Sequence, residues 1–137
     1  MKSFFDASAL AKRYIEEHGS AAADEVCMAT DRLGLSVICE LEIVSALNRR
    51  LREKNLSREQ YLLAKQRLCA DIRDADMVAV TNEVVGMATV VLESVPVRAM
   101  DAIHIASARV WGADLFVSAD KAQAKSAEWF GLKTRLV

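Results

Sequence analysis

Apolar residues in this chain fall into short runs separated by longer segments of helical composition. Lys2–Phe5, Gly34–Ile38, Met77–Val80, Leu115–Val117 and Leu132–Leu136 read as strands. Between them, Ala7–Glu17, Ala21–Arg32, Cys39–Lys54, Arg58–Arg73 and Glu83–Glu93 read as helices. A nearly all-apolar helix follows Arg98 and stops at Gly112, and a last helix runs from Asp120 to Phe130 before Gly131. The boundaries carry their own signals. His18-Gly19 and Asn55 are stops, Ser20 and Thr81-Asn82 are caps, Ser57-Arg-Glu-Gln60 is a capping-box pattern, and Pro96 is the only proline. Short strands alternating with helices predict an α/β fold with a mainly parallel sheet, in one domain over residues 1–137. In such a sheet the binding crevice lies outside the carboxyl ends of the strands.

That placement gives particular carboxylates chemical interest. Asp6 and Asp120 each stand just past the carboxyl end of an expected strand, and Asp101 stands in the first turn of the apolar helix. A carboxylate on a helix built for burial needs compensation, because an unpaired buried charge is very costly. The helix N-terminus supplies part of it and a bound cation can supply the rest. Carboxylates sharing one site repel each other unless a divalent cation joins them, and oxygen donors of this kind suit Mg²⁺ or Mn²⁺. The bland reading of each residue is a turn, an N-cap or a dipole partner, so the case rests on their joint placement. His104 reads as a core or hydrogen-bonding histidine rather than a ligand, and no His/Cys spacing fits zinc.

Glu40 and Glu42 are the candidates for a fourth acid. They lie about 200° apart around a helix, so only one can face the site. Taking Val37, Leu41, Val44, Leu47 and Leu51 as the apolar stripe puts Glu40 nearer to it; a late helix start would admit Glu42 instead. The pattern leaves both open.

Composition narrows the partners. Eighteen Lys and Arg against nineteen Asp and Glu leave no global basic field, so any nucleic acid would be held by local charge and by metal. Lys12, Arg13, Arg98 and Lys121, each close in sequence to a proposed acid, could grip a phosphate backbone. The run Arg49–Lys54 reads more simply as a solvated helix end. Cys27, Cys39 and Cys69 are unpaired in spacing and read as buried thiols of a reducing compartment. The absence of a signal-peptide pattern, and of any apolar run near the roughly 20 residues of a membrane span, predicts a cytoplasmic protein away from membranes.

Four motifs in order carry a resemblance. They are Phe-Asp6-Ala-Ser8-Ala-Leu, Glu42-Ile-Val-Ser-Ala46-Leu47, Asp101-Ala-Ile-His104-Ile-Ala-Ser-Ala and Phe-Val-Ser118-Ala-Asp120. In these the chain resembles the PIN-domain ribonucleases, and in size and layout the VapC-type toxins of toxin–antitoxin pairs. The resemblance implies a three-layer α/β/α fold around about five strands. It selects Glu42 over Glu40, and implies Asp6, Glu42, Asp101 and Asp120 as the catalytic, metal-site acids, with Ser8 and Ser118 supporting them. It further implies a Mg²⁺- or Mn²⁺-dependent endoribonuclease acting on RNA, dimeric with a second copy of itself and inhibited by a cognate antitoxin.

Two other classes compete. A phosphoaspartyl enzyme using Asp6 as nucleophile would want a second Asp two residues on, where this chain has Ser8. A catalytically silent module binding RNA or protein would be expected to have lost acids, and here all four are present. A DNA-directed flap nuclease would be larger.

Overall fold

Three residues of β1, Ser3, Phe4 and Phe5, are wholly buried. Successive side chains of a strand point to opposite faces, so Phe4 and Phe5 each begin a separate core. Phe5 packs with Leu10, Leu35, Ile43 and Leu68, while Phe4 packs with Val84, Ile105 and Phe116. A strand buried on both faces belongs in the middle of a parallel sheet covered by helices.

The computed structural model, which describes residues 1–137, shows this. The strands are β1 (Lys2–Phe5), β2 (Arg32–Ser36), β3 (Asp76–Val78), β4 (Leu115–Ser118) and β5 (Thr134–Leu136). All pair in parallel, in the order β3-β2-β1-β4-β5. The helices are α1 (Ala7–Ala11), α2 (Ser20–Met28), α3 (Cys39–Arg52), α4 (Arg58–Asp74), α5 (Asn82–Ser94), α6 (Ala99–Trp111) and α7 (Lys121–Trp129). Residues of α1, α3 and α4 fill the Phe5 core, and those of α5, α6 and α7 fill the Phe4 core. The expected α/β architecture is therefore present, with a sheet that is parallel throughout.

Local chemistry explains most boundaries. Ser57 and Gln60 form the expected reciprocal capping box of α4, and Thr81 caps α5. Gly112 ends α6 with φ of 77°, a left-handed conformation that favours glycine. Gly34 in β2 is needed for space rather than for φ: a Cβ there would meet the Trp111 ring at 2.7 Å.

Several expectations are corrected. The first helix is regular only to Ala11, not Glu17. Beyond it the N–H groups of Lys12, Arg13 and Tyr14 bond three residues back, to Ala9, Leu10 and Ala11, tightening the chain into turns. The side chains of this turn are drawn elsewhere, Arg13 and Tyr14 to Asp71 on α4. Helix α2 is shorter than expected and begins at Ser20, capped by Gly19 at φ of 91°. Strand β2 runs two residues earlier than expected, since Val37 and Ile38 leave the sheet and Ile38 becomes the N-cap of α3.

The apolar stripe of α3 is also corrected. Cys39, Ile43 and Leu47 are buried, whereas Leu41 is 70% and Val37 40% exposed. Of the cysteines only Cys39 is buried; Cys69 is exposed and none is bonded. No helix is long and apolar enough to cross a membrane.

Candidate active site

The strand order reverses at β1. From it the chain moves one way to β2 and β3, and later the other way to β4 and β5. Such a switch point opens a crevice past the carboxyl ends of the two central strands. Asp6 follows β1 directly, and Asp120 lies two residues past β4. The backbone N–H of Asp6 donates to the carbonyl of Val117 at 3.1 Å, which joins the two strand ends.

Asp6 is the buried member, only 3% exposed. It caps α1: Oδ1 accepts from the N–H of Ala9 at 2.9 Å and from the Ser8 hydroxyl at 2.7 Å. Oδ2 accepts from the Ser118 hydroxyl at 2.5 Å. Ser118 in turn accepts from the N–H of Asp120 at 3.0 Å, so one hydroxyl connects the two acids. Ser8 accepts from the N–H of Ala119 at 3.0 Å. Burial pushes the Asp6 carboxyl above its ordinary pKa despite the bonds from Ser118, Ser8 and Ala9 that favour its charge.

Asp120 is exposed and caps α7, its Oδ1 accepting from the N–H groups of Ala122 and Gln123 at 2.8 and 3.1 Å. Its other oxygen accepts no hydrogen bond within the chain. Asp101 stands at the third position of α6 and accepts a long 3.4 Å bond from the N–H of Arg98. Its pKa is raised, first by burial, and then by the negative charges of Asp120 and Glu42. Asp101 thus lies within the electrostatic reach of both Asp120 and Glu42.

Glu42 reaches that site through a partner. His104 is 1% exposed, sits edge-on to Phe4, and its Nε2 lies 2.9 Å from Glu42 Oε1. The pair links α3 to α6 across the crevice. His104 thus has the hydrogen-bonding place expected of it. Glu40 is exposed and makes no such bond. Helix α3 starts at Cys39, as expected, with both glutamates in its first turn, but it buries Cys39, Ile43 and Leu47 rather than the expected stripe, and Glu42 is the one that meets His104.

No arginine, lysine or histidine lies within ion-pair distance of Asp6, Asp101 or Asp120. Clustered carboxylate oxygens without a cation partner fit a hard divalent ion. No three of the side chains close around a single point as a ready ligand shell. The side chains present are thus oxygen donors of the kind a hard divalent ion takes, without a formed ligand shell.

Two of the four suggested phosphate-gripping cations are otherwise engaged. Lys12 donates to the carbonyl of His18 at 2.6 Å, and Arg13 pairs with Asp24 and Asp71. Arg98 and Lys121 are exposed and free of ion pairs. Sequence reasoning passed over Gln123, which is buried at the start of α7 with its Nε2 3.4 Å from the backbone carbonyl of Asp101. Its place three residues after Asp120 is its only sequence signal. The largest cleft, about 430 Å³, lies away from the acids, beside Tyr14, Asp24, Arg50 and Gln60. It is polar space next to the Arg13 network and adjoins none of the four acids.

Comparison with known proteins agrees with this layout. The PIN domain model matches residues 3–128. Among solved structures, Mycobacterium tuberculosis VapC20, a Sarcin-Ricin loop cleaving toxin, is similar with a TM-score of 0.70. That match covers 90% of this chain and 94% of that one at 19% identity. A toxin–antitoxin complex from Klebsiella pneumoniae gives a TM-score of 0.68, covering 89% of each chain at 13% identity. PAE2754 from Pyrobaculum aerophilum also gives 0.68, covering 98% and 92% at 19% identity. No curated protein sequence matches significantly. At such identities the structures speak for the fold, and the family model speaks for membership. With four motif acids at the switch point of a parallel sheet and a family match over nearly its whole length, this chain belongs to the PIN-domain family.

Proposed function

We propose that this protein is a metal-dependent endoribonuclease and the toxin of a toxin–antitoxin pair. The observation that carries the reading is the cluster of Asp6, Asp101, Asp120 and Glu42, whose three aspartates have no cation partner, at the switch point of the sheet. The printed descriptions of VapC20 as a cleaving toxin and of the Klebsiella structure as a toxin–antitoxin complex support it.

Asp6 and Asp101 would hold Mg²⁺ or Mn²⁺, directly or through water, with Glu42 and Asp120 completing the acidic set. When bound, such an ion lowers the pKa of water and neutralises charge on phosphoryl oxygens. The chain's own groups do the rest. Ser8 and Ser118 fix both oxygens of Asp6, so it need not reorganise during reaction. His104 orients Glu42, which takes the proton of the attacking water. Water adds to phosphorus in line, the P–O3′ bond breaks, and the departing oxygen gains a proton, leaving a 5′-phosphate and a 3′-hydroxyl.

The partners of this reading are RNA, a second copy of the chain and a cognate antitoxin, in the cytoplasm. Exposed Leu41 and Met100 flank Glu42 and give a covering antitoxin segment an apolar purchase. The test is incubation with total RNA in Mg²⁺, Mn²⁺ or EDTA, beside Asp6→Asn and Asp101→Asn. Discrete metal-dependent cleavage that both substitutions abolish is expected. Absence of cleavage by folded, antitoxin-free protein that still binds RNA would favour the silent module.

A further inference from the structure

Helix α7 leaves the acidic site carrying an unusual face. Its inner positions Gln123, Ala124, Ser126 and Ala127 are buried. Its outer positions Lys121, Lys125 and Trp129 recur every four residues, so they form one ladder about 12 Å long. Neither lysine has an ion-pair partner, and Trp129 is 73% exposed. A lone exposed apolar residue needs no explanation, but this one adjoins a cleft. Val95 and Pro96, on the turn between α5 and α6, face Ala122, Lys125, Ser126 and Trp129 across about 250 Å³.

The residues that line the cleft lie close in sequence to two of the acids. Its α7 wall begins two residues after Asp120, and its other wall ends five residues before Asp101. The Gln123 amide, reaching the carbonyl of Asp101, ties the two helix starts together. Arg98, exposed and unpaired, lies between Pro96 and Asp101 in the chain. A polyanion engaged at the acids must find positive charge close by, because the carboxylates repel its phosphates. Arg98, Lys121 and Lys125, exposed and unpaired on the starts of α6 and α7, can supply it, beside Arg49, which lines a cleft with Glu42.

We infer that the α7 ladder and the Val95–Pro96 cleft bind the unpaired stretch of RNA that flanks the cut, with the cations on phosphates and Trp129 stacked on a base. This rests on the nuclease reading and adds a binding surface to its site. An indole face binds a splayed base irrespective of sequence, whereas the bases of a duplex are stacked on one another and unavailable. Lys121, Lys125 and Trp129 are therefore a contact to unpaired bases and phosphates beside the cut.

The test uses the full chain carrying Asp6→Asn, so that nothing is cut, with a labelled 12-nucleotide oligo(rA) and a blunt RNA duplex of equal length as probes. Trp129→Ala should weaken oligo(rA) about ten-fold, Trp129→Phe should restore most of the loss, and duplex binding should change less than two-fold. Lys121→Ala with Lys125→Ala should reduce the salt dependence of oligo(rA) binding by about 1.4 in slope, roughly 0.7 per lost phosphate contact. Equal loss for both probes, unchanged oligo(rA) binding in Trp129→Ala, or no binding to either probe would overturn the proposal. So would a change from dimer to monomer in Trp129→Ala with RNA binding intact, which would make the ladder a protein interface. Cleavage by the otherwise unsubstituted protein is scored separately. If it cuts RNA in an Asp6-dependent way while the ladder variants bind normally, only the track fails; if it never cuts, the nuclease reading fails.

Discussion

Two groups of carboxylates in this molecule meet opposite fates. Asp24 and Asp71, on α2 and α4, close around Arg13, with 3.0 Å and 2.5 Å contacts, and Tyr14 donates to Asp71 at 2.6 Å. Burial alone would lower the Arg13 pKa, yet hydrogen bonds to Asp24 and Asp71 hold it well above its ordinary value. Tyr14 is likewise raised, by burial first and then by Asp71. At the other end of α1, Asp6, Asp101 and Asp120 have hydroxyls and N–H groups around them but no cation. In the first group both carboxylates share a cation, and the contacts tie the turn after α1 to α2 and α4. The second is left with net negative charge that the folded chain does not neutralise. A fold retains such a cost where the site has other work, and under the proposed reading that work is binding a cation.

The contrast can be broken most sharply at Asp6. Asp6→Asn keeps the acceptor for Ala9 and Ser8, and Ser118 can turn its hydroxyl toward the Asp120 carbonyl, 3.3 Å away, and accept from the new amide. Cleavage should fall at least about 100-fold, while the midpoint of thermal unfolding rises by about 2–5 °C because a buried charge is gone. A lowered midpoint would mean that Asp6 is structural. Arg13→Ala should do the reverse. Stranding Asp71 and Asp24 should cost about 2–3 kcal/mol in urea unfolding, with cleavage per folded molecule nearly unchanged. Equal damage to both readouts would show the two regions to be coupled.

His104→Leu tests the link between α3 and α6. Glu42 loses its orienting partner, and cleavage should drop about ten-fold even when stability is matched by lower temperature. Metal addition sharpens the electrostatic claim without any RNA. Mg²⁺ at ten times its dissociation constant should stabilise the parent by about 1.4 kcal/mol, and Asp101→Asn should lose most of that gain.

The smallest effect is that of pH on the metal-free protein. Asp6 and Asp101 both have raised folded pKa values, so the folded state holds their protons more tightly than the unfolded chain does. Their contribution to stability is fully present below the ordinary aspartate range and is lost as pH rises through the raised values. Metal-free parent should therefore gain relative to Asp6→Asn as pH is lowered from neutral toward 5, a trend visible as converging melting curves. Parallel curves would remove Asp6 as a strained group.

Hydrophobic patterning was enough for the class of fold, because runs such as Phe4-Phe5 and Leu115–Val117 can be satisfied only between two helical layers. The capping box at Ser57–Gln60 and the stop at Gly112 were also legible, since both act within a few residues. Asp6 and Asp120 could be placed at strand ends by counting. What pattern could not supply was the outcome of long-range competition. The α1 helix shortens because Arg13 and Tyr14 are claimed by Asp71, 58 and 57 residues away. Glu42 faces the site because His104, 62 residues on, is there to receive it, although periodicity alone leaned to Glu40. The closeness of Asp101 to Asp120 and Glu42 depends on the strand order β3-β2-β1-β4-β5, which no local signal encodes. By itself, then, the sequence determined which residues are buried in strands, where most helices start and stop, and which acids lie near strand ends, all through interactions of short range. Only the tertiary structure decided which of those acids share one field and which cations remain free to meet a phosphate, because charges interact through space and not along the chain.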